Sequence, residues 1–209
     1  MNKVGLFLAA IVSAVLASQT AAAQTESPVD VDNELYAFSF TVEQDSIITY
    51  REGGTGFTCV HNSSGGVKGS EPDYGLVVFG RESWGLSAEE ARGLGLGDGS
   101  KTVLLSLADV DSQSALDKLI TAQMAVHERK PAGQARITQA DSSTVEVPYF
   151  TWQRTVGVTT HHALMYVARH ETGFILVQVE SSSPLSAARL AWMTSKLTLS
   201  EPPAPEPAG

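Results

Sequence analysis

The residues best suited to chemistry are a single cysteine and five histidines. Cys59 and His61 lie two positions apart in FTCVH, so on a strand their side chains point the same way. His161 and His162 are adjacent and would point to opposite faces, which keeps them from binding one ion together. Structural zinc takes four ligands in closely spaced pairs, and the sequence has no such pairs. We therefore expect ordinary histidines; the alternative is a metal site made of Cys59, His61 and one distant histidine.

Cys59 and the two remaining histidines favour structural roles. Cys59 is the only cysteine, so an internal disulfide is excluded. It shares a strand face with Phe57, which predicts a buried thiol, and the alternative is an exposed thiol that pairs with another protein. His127 is predicted at a helix end, where a positive charge suits the helix dipole, and His170 precedes a hairpin turn.

Motifs for phosphate binding and nucleophilic hydrolysis are incomplete. Residues 95–102 (GLGDGSKT) place Ser100 where a phosphate loop has glycine, and the strand-like VLLSL follows where a helix is required. Ser83 lies in GRESWG, one residue too far from the preceding glycine for G-x-S-x-G. Asp109 and Asp111 flank a predicted helix start, where carboxylates favour the dipole, and are interpreted as capping residues. No catalytic, cofactor-binding or metal residue is assigned.

An enzyme with an unrecognised site is the least favoured of three functional hypotheses. Such a site needs convergent polar groups in a pocket, and a deep cleft around His161, Arg154 or Trp84 would support it. Trp84 stands beside Gly85 in a glycine-rich stretch, where an aromatic side chain can contact a ligand. Packing in the core is the favoured interpretation of Trp84.

The elements that must position these residues are clearest between residues 147 and 199. The segments VPYFTWQRT, HHALMYVARH and FILVQVE read as three strands, with a turn at residues 171–173. Each strand is apolar on both faces, which predicts a sheet that is covered on both sides. A closing helix is expected from Pro184, capped by Ser183 and anchored by Leu185 and Trp192.

The rest of the sequence predicts further strands and one long helix. Strand patterns cover residues 35–42, 46–51, 56–61, 74–80, 101–107 and 136–139. The long helix begins after Asp111 or Ser112, runs to about residue 128, and is ended by the Pro131-Ala132-Gly133 segment. Residues 62–69 are expected to be a loop, and residues 83–99 an irregular stretch with a short helix at 87–92.

The order of these elements, with YFTWQR, HALMYVARHETGFILVQVESSS and a final helix ending in KLTL, resembles the PsbP-like superfamily. The resemblance spans about residues 35–199 and is architectural. It implies an α+β fold: an antiparallel sheet covered by helices on both faces, in one α/β/α sandwich domain at residues 34–199. It also implies a non-catalytic accessory or binding module, because members include extrinsic photosystem subunits and adaptors that bind other proteins.

The two ends of the chain are expected to lie outside that domain. Residues 1–23 have a positive start at Lys3, an apolar run and a small-residue cleavage pattern, which predicts a bacterial secretory signal that is too short to span a membrane. Residues 24–33 are predicted to be disordered, and so is the Pro/Ala/Glu-rich tail at 200–209.

Charge narrows the choice of partner. Without the signal, 13 Lys+Arg face 23 Asp+Glu, a formal net charge of −10, which disfavours nucleic acid and anionic lipid. We therefore expect a periplasmic or secreted, non-catalytic module whose partner is another protein of the cell envelope. A carrier of a small ligand or metal is the alternative, and a hydrolase with an unrecognised site is less favoured.

Overall fold

Strands dominate the computed structural model, which describes residues 27–62 and 73–204. Three short helices are present in these ranges: α1 (Ala88–Gly93), α2 (Gln113–Val126) and α3 (Ala187–Met193). None of the described helices is long and apolar enough to cross a membrane. The twelve strands are β1 (Val29–Asn33), β2 (Phe38–Val42), β3 (Ile47–Tyr50), β4 (Gly56–His61), β5 (Tyr74–Arg81), β6 (Ser83–Leu86), β7 (Val103–Ser106), β8 (Lys130–Thr138), β9 (Thr144–Val156), β10 (Thr159–His170), β11 (Gly173–Ser181) and β12 (Leu197–Leu199).

Ten of the strands form one mixed sheet in the order β1-β2-β12-β8-β9-β10-β11-β5-β4-β3. All neighbours are antiparallel except β12 and β8, which run parallel and pair at Thr198 and Thr138. Strands β6 and β7 form a separate antiparallel pair. The sheet therefore has two edges, β1 at one end and β3 at the other.

The large sheet curls into a half-barrel, which brings its two ends together. Phe40 in β2 and Phe57 in β4 are each one strand from an edge, yet their ring centroids lie 6.5 Å apart. The Asn33 side chain, at the end of β1, donates to the carbonyl oxygen of Gly54 beside β4 at 2.7 Å. The inner face thus packs largely against itself, with α3 closing one end through Met193.

The prediction of an α/β/α sandwich with helices on both faces is wrong. The strands β10 and β11 are indeed apolar and buried on both faces, as their sequence predicts. On the inner face, however, the cover for Leu164, Tyr166 and Val177 comes chiefly from other strands of the same sheet. On the outer face, α1, α2 and the β6–β7 pair cover residues such as Phe174. A strand with apolar residues on both faces indicates that both faces are covered, but its sequence does not indicate whether helices or other strands cover them.

Several local predictions are confirmed. The three strands and the turn between residues 147 and 181 are present as β9, β10 and β11. Ser112 caps α2 through its side chain, which accepts from the backbone N–H of Ala115. Ser87 and Glu90 form a capping box at the start of α1, inside the predicted short helix.

Other local predictions need correction. The closing helix starts at Ala187 with Ser186 as its cap, three residues later than expected, because Ser186 supplies the hydroxyl that receives the Arg189 N–H. Residues 29–33, in the segment expected to be disordered, form β1. Residues 83–86 form β6, and Pro131 lies inside β8 where it was expected to end a helix.

The predicted signal at residues 1–23 and most of the predicted loop 62–69 fall outside the described residues. Of the predicted tail, residues 201–204 form neither helix nor strand. The Ser200 N–H donates a hydrogen bond to the carbonyl oxygen of Ala37.

Candidate binding surface

Cys59 and His61 lie two residues apart on one face of β4. Within residues 27–62 and 73–204, the polar contacts at this position connect parts of the fold and form no reactive site. His61 Nε2 is 3.2 Å from a carboxylate oxygen of Glu43, which follows β2 on the other side of the half-barrel. The same carboxylate accepts hydrogen bonds from the Tyr74 hydroxyl, at 3.0 Å, and from the Arg189 guanidinium. Glu43 therefore joins β2 to β4, β5 and α3 at one end of the inner core.

The metal site of Cys59, His61 and a distant histidine was only the alternative to ordinary histidines, and the described residues do not assemble it. Among the described residues, no group of three or more His, Cys, Asp or Glu side chains is placed to hold an ion. Cys59 is 1% exposed, which confirms the predicted buried thiol. Burial is the main cause that raises the pKa of the Cys59 thiol above its usual value, so this thiol is poorly reactive at neutral pH.

The four distant histidines are spread over the molecule. His161 Nδ1 lies 3.0 Å from Glu180, and His162 contacts Gln153 on the other face of the sheet. His170 Nε2 lies 3.0 Å from the carbonyl oxygen of Ser200. His127, at the C-cap of α2 as predicted, is 3.1 Å from Glu90 of α1.

The remaining residues that the sequence singled out also have local roles. Trp84 is 5% exposed and meets the Phe174 ring edge-on at 6.4 Å, so it belongs to the core, as predicted. Asp109 accepts two hydrogen bonds from Ser106, which lower the pKa of its carboxyl and hold the turn before α2. Gly99, in the phosphate-loop-like stretch, has a positive φ and accepts from the Arg92 side chain, as in a turn.

A shallow groove of ≈ 440 Å³ lies on the outer face of the sheet. It crosses β4, β5 and β11. Gly75 of β5 forms its floor, between Val60 of β4 and Glu180 of β11 in the strand register. A Cβ at Gly75 would meet nothing nearer than the Glu180 carbonyl oxygen at 3.9 Å, so the space above this position is open.

The far wall of the groove carries an ionic cluster. Arg154 of β9 makes a bidentate contact with Glu180, at 2.6 and 2.8 Å, and His161 contacts the same carboxylate. Glu180 and His161 are about one-quarter exposed and Arg154 is 57% exposed, so the cluster lies on an open surface, unlike the deep cleft that an enzyme at His161 or Arg154 would need.

The near wall of the groove continues into the edge strand β3. Ile47 is 65% exposed and pairs with Val60, which is 45% exposed, so two apolar side chains face water beside the groove. The Arg51 N–H bonds to Gly56 O across the β3–β4 ladder. In an antiparallel ladder, hydrogen-bonded residue pairs alternate with pairs that are not hydrogen-bonded. Because Arg51 is hydrogen-bonded to Gly56, the backbone N–H and C=O groups of Tyr50 and Ile48 point away from β4. β3 thus offers an uncharged, apolar edge with free backbone groups.

The opposite edge is built differently. β1 reads VDVDN and places Asp30 and Asp32 on its solvent face, where the Thr41 hydroxyl donates to Asp30 at 2.6 Å. Charged residues on an edge strand discourage pairing with another chain. Of the two edges, only β3 lacks that protection within the described residues.

This surface was missed at the level of sequence. The segment IITY was recognised as a strand, but its lack of charge beside the VDVDN segment is the signal that could have marked it as an open edge. Gly75 within a strand was a second signal, since a strand glycine often marks a close approach.

No protein-family model matches the chain, and no curated protein sequence matches it significantly. The resemblance to the PsbP-like superfamily therefore stays a prediction, and function rests on the geometry described above.

Proposed function

We propose that this protein is a non-catalytic binding module of the cell envelope that pairs an extended segment of another protein with β3. The observation that carries the proposal is the contrast between the two sheet edges. β3 presents Ile47 and Tyr50, 65% and 70% exposed, without a charge, whereas β1 carries two aspartates. An added strand would satisfy the outward backbone groups of Ile48 and Tyr50, which supplies affinity in strand-addition complexes.

The apolar side chains of Ile47 and Val60, beside the groove, supply the part of the site that can select a partner. A strand added to β3 alternates its side chains between the two faces of the sheet, so every second one lies on the outer face beside Ile47 and Val60. These two exposed apolar side chains offer the added strand a contact on that face. Export to the periplasm is part of the proposal through residues 1–23, and N-terminal sequencing of the protein from a periplasmic fraction tests it.

Proline substitution tests the edge itself. Tyr50→Pro removes an outward N–H while leaving the β3–β4 ladder its own donors, and proline is tolerated on the open side of edge strands. Thr41 of β2 donates to Lys196 O on the side of β12, so the N–H of Asp32 points away from β2 by the same alternation. Asp32→Pro on β1 is therefore the matched control.

The readout is a photo-crosslinking residue at position 47 in cells that make the protein in its native compartment. We expect one specific protein adduct, lost with Tyr50→Pro, kept with Asp32→Pro, and crosslinked within an extended segment of the partner. The proposal is overturned if position 47 gives no adduct, or if the adduct survives Tyr50→Pro in a folded variant. An adduct with a second copy of this chain would overturn the proposal that the partner is another protein, and it would assign β3 to self-association.

A second candidate, carriage of a small ligand, is favoured by one pocket. It has a volume of ≈ 340 Å³, lies between β9, β10 and α3, and is lined by Leu164, Leu185 and Leu190. The polar pair of Gln153 and His162 stands at the same pocket. This volume is at the lower limit of small-molecule sites. A native mass spectrum of the protein purified from its own compartment, with a bound small molecule lost on Leu190→Trp, would support this function over strand addition.

A further inference from the structure

Among the described residues, two arginines on the outer face have no acceptor for their guanidinium groups. The chain has eight arginines, all within the described residues. Five of them donate to a carboxylate, a backbone carbonyl or a sulfur atom: Arg92, Arg129, Arg154, Arg169 and Arg189. A sixth, Arg136, forms an ion pair with Glu146 at 3.7 Å. Arg51 and Arg81 have no such partner in the described part of the chain. These two arginines are neighbours, in a protein that carries 23 acidic residues.

Their geometry is built by the strand register. Arg51, Gly56 and Phe79 lie in one row across the end of β3, β4 and β5. A Cβ at Gly56 would stand 2.2 Å from the Val78 carbonyl oxygen and 2.5 Å from the Phe79 Cα, so this position must be glycine. Because no side chain intervenes, the Arg51 guanidinium lies 4.6 Å from the Phe79 ring centroid. Arg81, two residues further along β5, lies 5.7 Å from the same ring.

The ring therefore places two positive charges close together. Partial burial, followed by the charge of Arg51, lowers the pKa of Arg81 below its usual value. Two guanidinium forks on a shared aromatic platform provide several N–H donors for one acceptor group. Carboxylate and phosphate groups, which present two or three oxygens, match this donor geometry best.

We propose that Arg51 and Arg81, oriented by Phe79, form a binding site for an oxyanion, that is, a carboxylate or a phosphate group. The site stands beside the C-terminal end of β3, but it depends only on the arginine pair and holds whether or not a strand is added there. Its ligand chemistry also differs from the apolar groove at Gly75, so the two sites can be tested separately.

The test is a titration of the ¹⁵N-labelled protein with inorganic phosphate and, in a second arm, with acetate, both compared with chloride at equal ionic strength. We expect the Nε–Hε signals of Arg51 and Arg81 to shift saturably, with a Kd below about 10 mM. The signals of Arg136 and Arg154, which already bind Glu146 and Glu180, should not shift. Saturation with acetate as well as phosphate assigns a carboxylate-accepting site, and saturation with phosphate alone assigns a phosphoryl ligand.

Variants distinguish a specific anion site from non-specific electrostatic attraction of anions. Arg51→Gln, at an exposed position, should weaken phosphate binding at least about tenfold, since it removes one of two charge-assisted contacts. It should leave the melting temperature in chloride unchanged or higher, because a like-charge contact is removed. Arg136→Gln is the control and should leave phosphate binding unchanged. The proposal fails if neither anion gives a saturable shift, if the control arginines shift equally, or if a folded Arg51→Gln variant binds as tightly as the parent.

Discussion

Removal of the Glu43 carboxylate is expected to loosen the half-barrel more than the loss of any exposed ion pair. Glu43 holds the Arg189 guanidinium and the Tyr74 hydroxyl, and it lies 3.2 Å from His61. The Arg189 side chain is only 11% exposed, and Tyr74 is 2% exposed, so water cannot readily replace the lost acceptor. Breaking a fully buried ion pair costs about 3–5 kcal/mol. Because Glu43 is itself 27% exposed, we expect Glu43→Ala to cost about 2–4 kcal/mol.

Urea unfolding followed by circular dichroism measures this cost in the parent, Glu43→Ala, Arg189→Ala and the double variant. The coupling energy between the two positions should reach about 1.5–3 kcal/mol, and the melting temperature of Glu43→Ala should fall by about 4–16 °C for a chain of this size. Glu43→Gln keeps an acceptor for Tyr74 and should lie between the parent and Glu43→Ala. The same cycle at Arg136 and Glu146 is the control.

The control pair is 3.7 Å apart and its side chains are 65% and 58% exposed, so its coupling energy should not exceed about 0.5 kcal/mol. Equal coupling at the two pairs would show that Glu43 does not join the sheet ends, and our account of how the inner core is closed would then be wrong.

Three further predictions follow from burial and protonation. Met193→Ala should cost about 2–5 kcal/mol and exceed the cost of Trp192→Ala in urea unfolding, since Met193 is 1% exposed and Trp192 is only partly buried; the reverse order would contradict the placement of α3. Burial lowers the pKa of His170 below 6.5, against the opposing effect of its hydrogen bond to Ser200, so the unfolded chain binds the proton first as pH falls. Stability should therefore decline below about pH 6.5, and His170→Asn should flatten that part of the pH profile, whereas an unchanged slope would refute it. Cys59 should react with a thiol reagent only at the rate of unfolding, and rapid labelling of the native protein would contradict its burial.

The sequence predicted local structure well where side chains alternate along a strand. Phe150 and Trp152 share one face of β9, and Leu164 and Tyr166 share the opposite face of β10, as the period of two requires. The long helix was predicted to begin after Asp111 or Ser112 and the short helix at Ser87; the structure uses Ser112 and Ser87 as caps, since capping depends on the few residues that follow. The closing helix was placed too early because Ser183 and Ser186 both offer a capping hydroxyl.

The candidate surface was harder to predict because its parts are remote in the chain. β3 was expected as a strand, yet whether a strand lies at an edge depends on which strands pair with it. Gly75 meets Glu180 in the groove only through the β5–β11 register, and Arg51 meets Arg81 only across Gly56. No local pattern records such contacts.

The sequence by itself determined which faces of β9, β10 and β11 are buried, where α1 and α2 begin, and that Cys59 is a core thiol. Tertiary structure alone decided that the sheet curls onto itself, that β12 runs parallel to β8, and that Glu43 meets His61 and Arg189. The physical reason is that hydrophobic burial is non-directional: an apolar face gains the same free energy under a helix as under another part of its own sheet. Strand pairing and sheet curvature decide whether a helix or another part of the sheet covers an apolar face. Both depend on the whole chain.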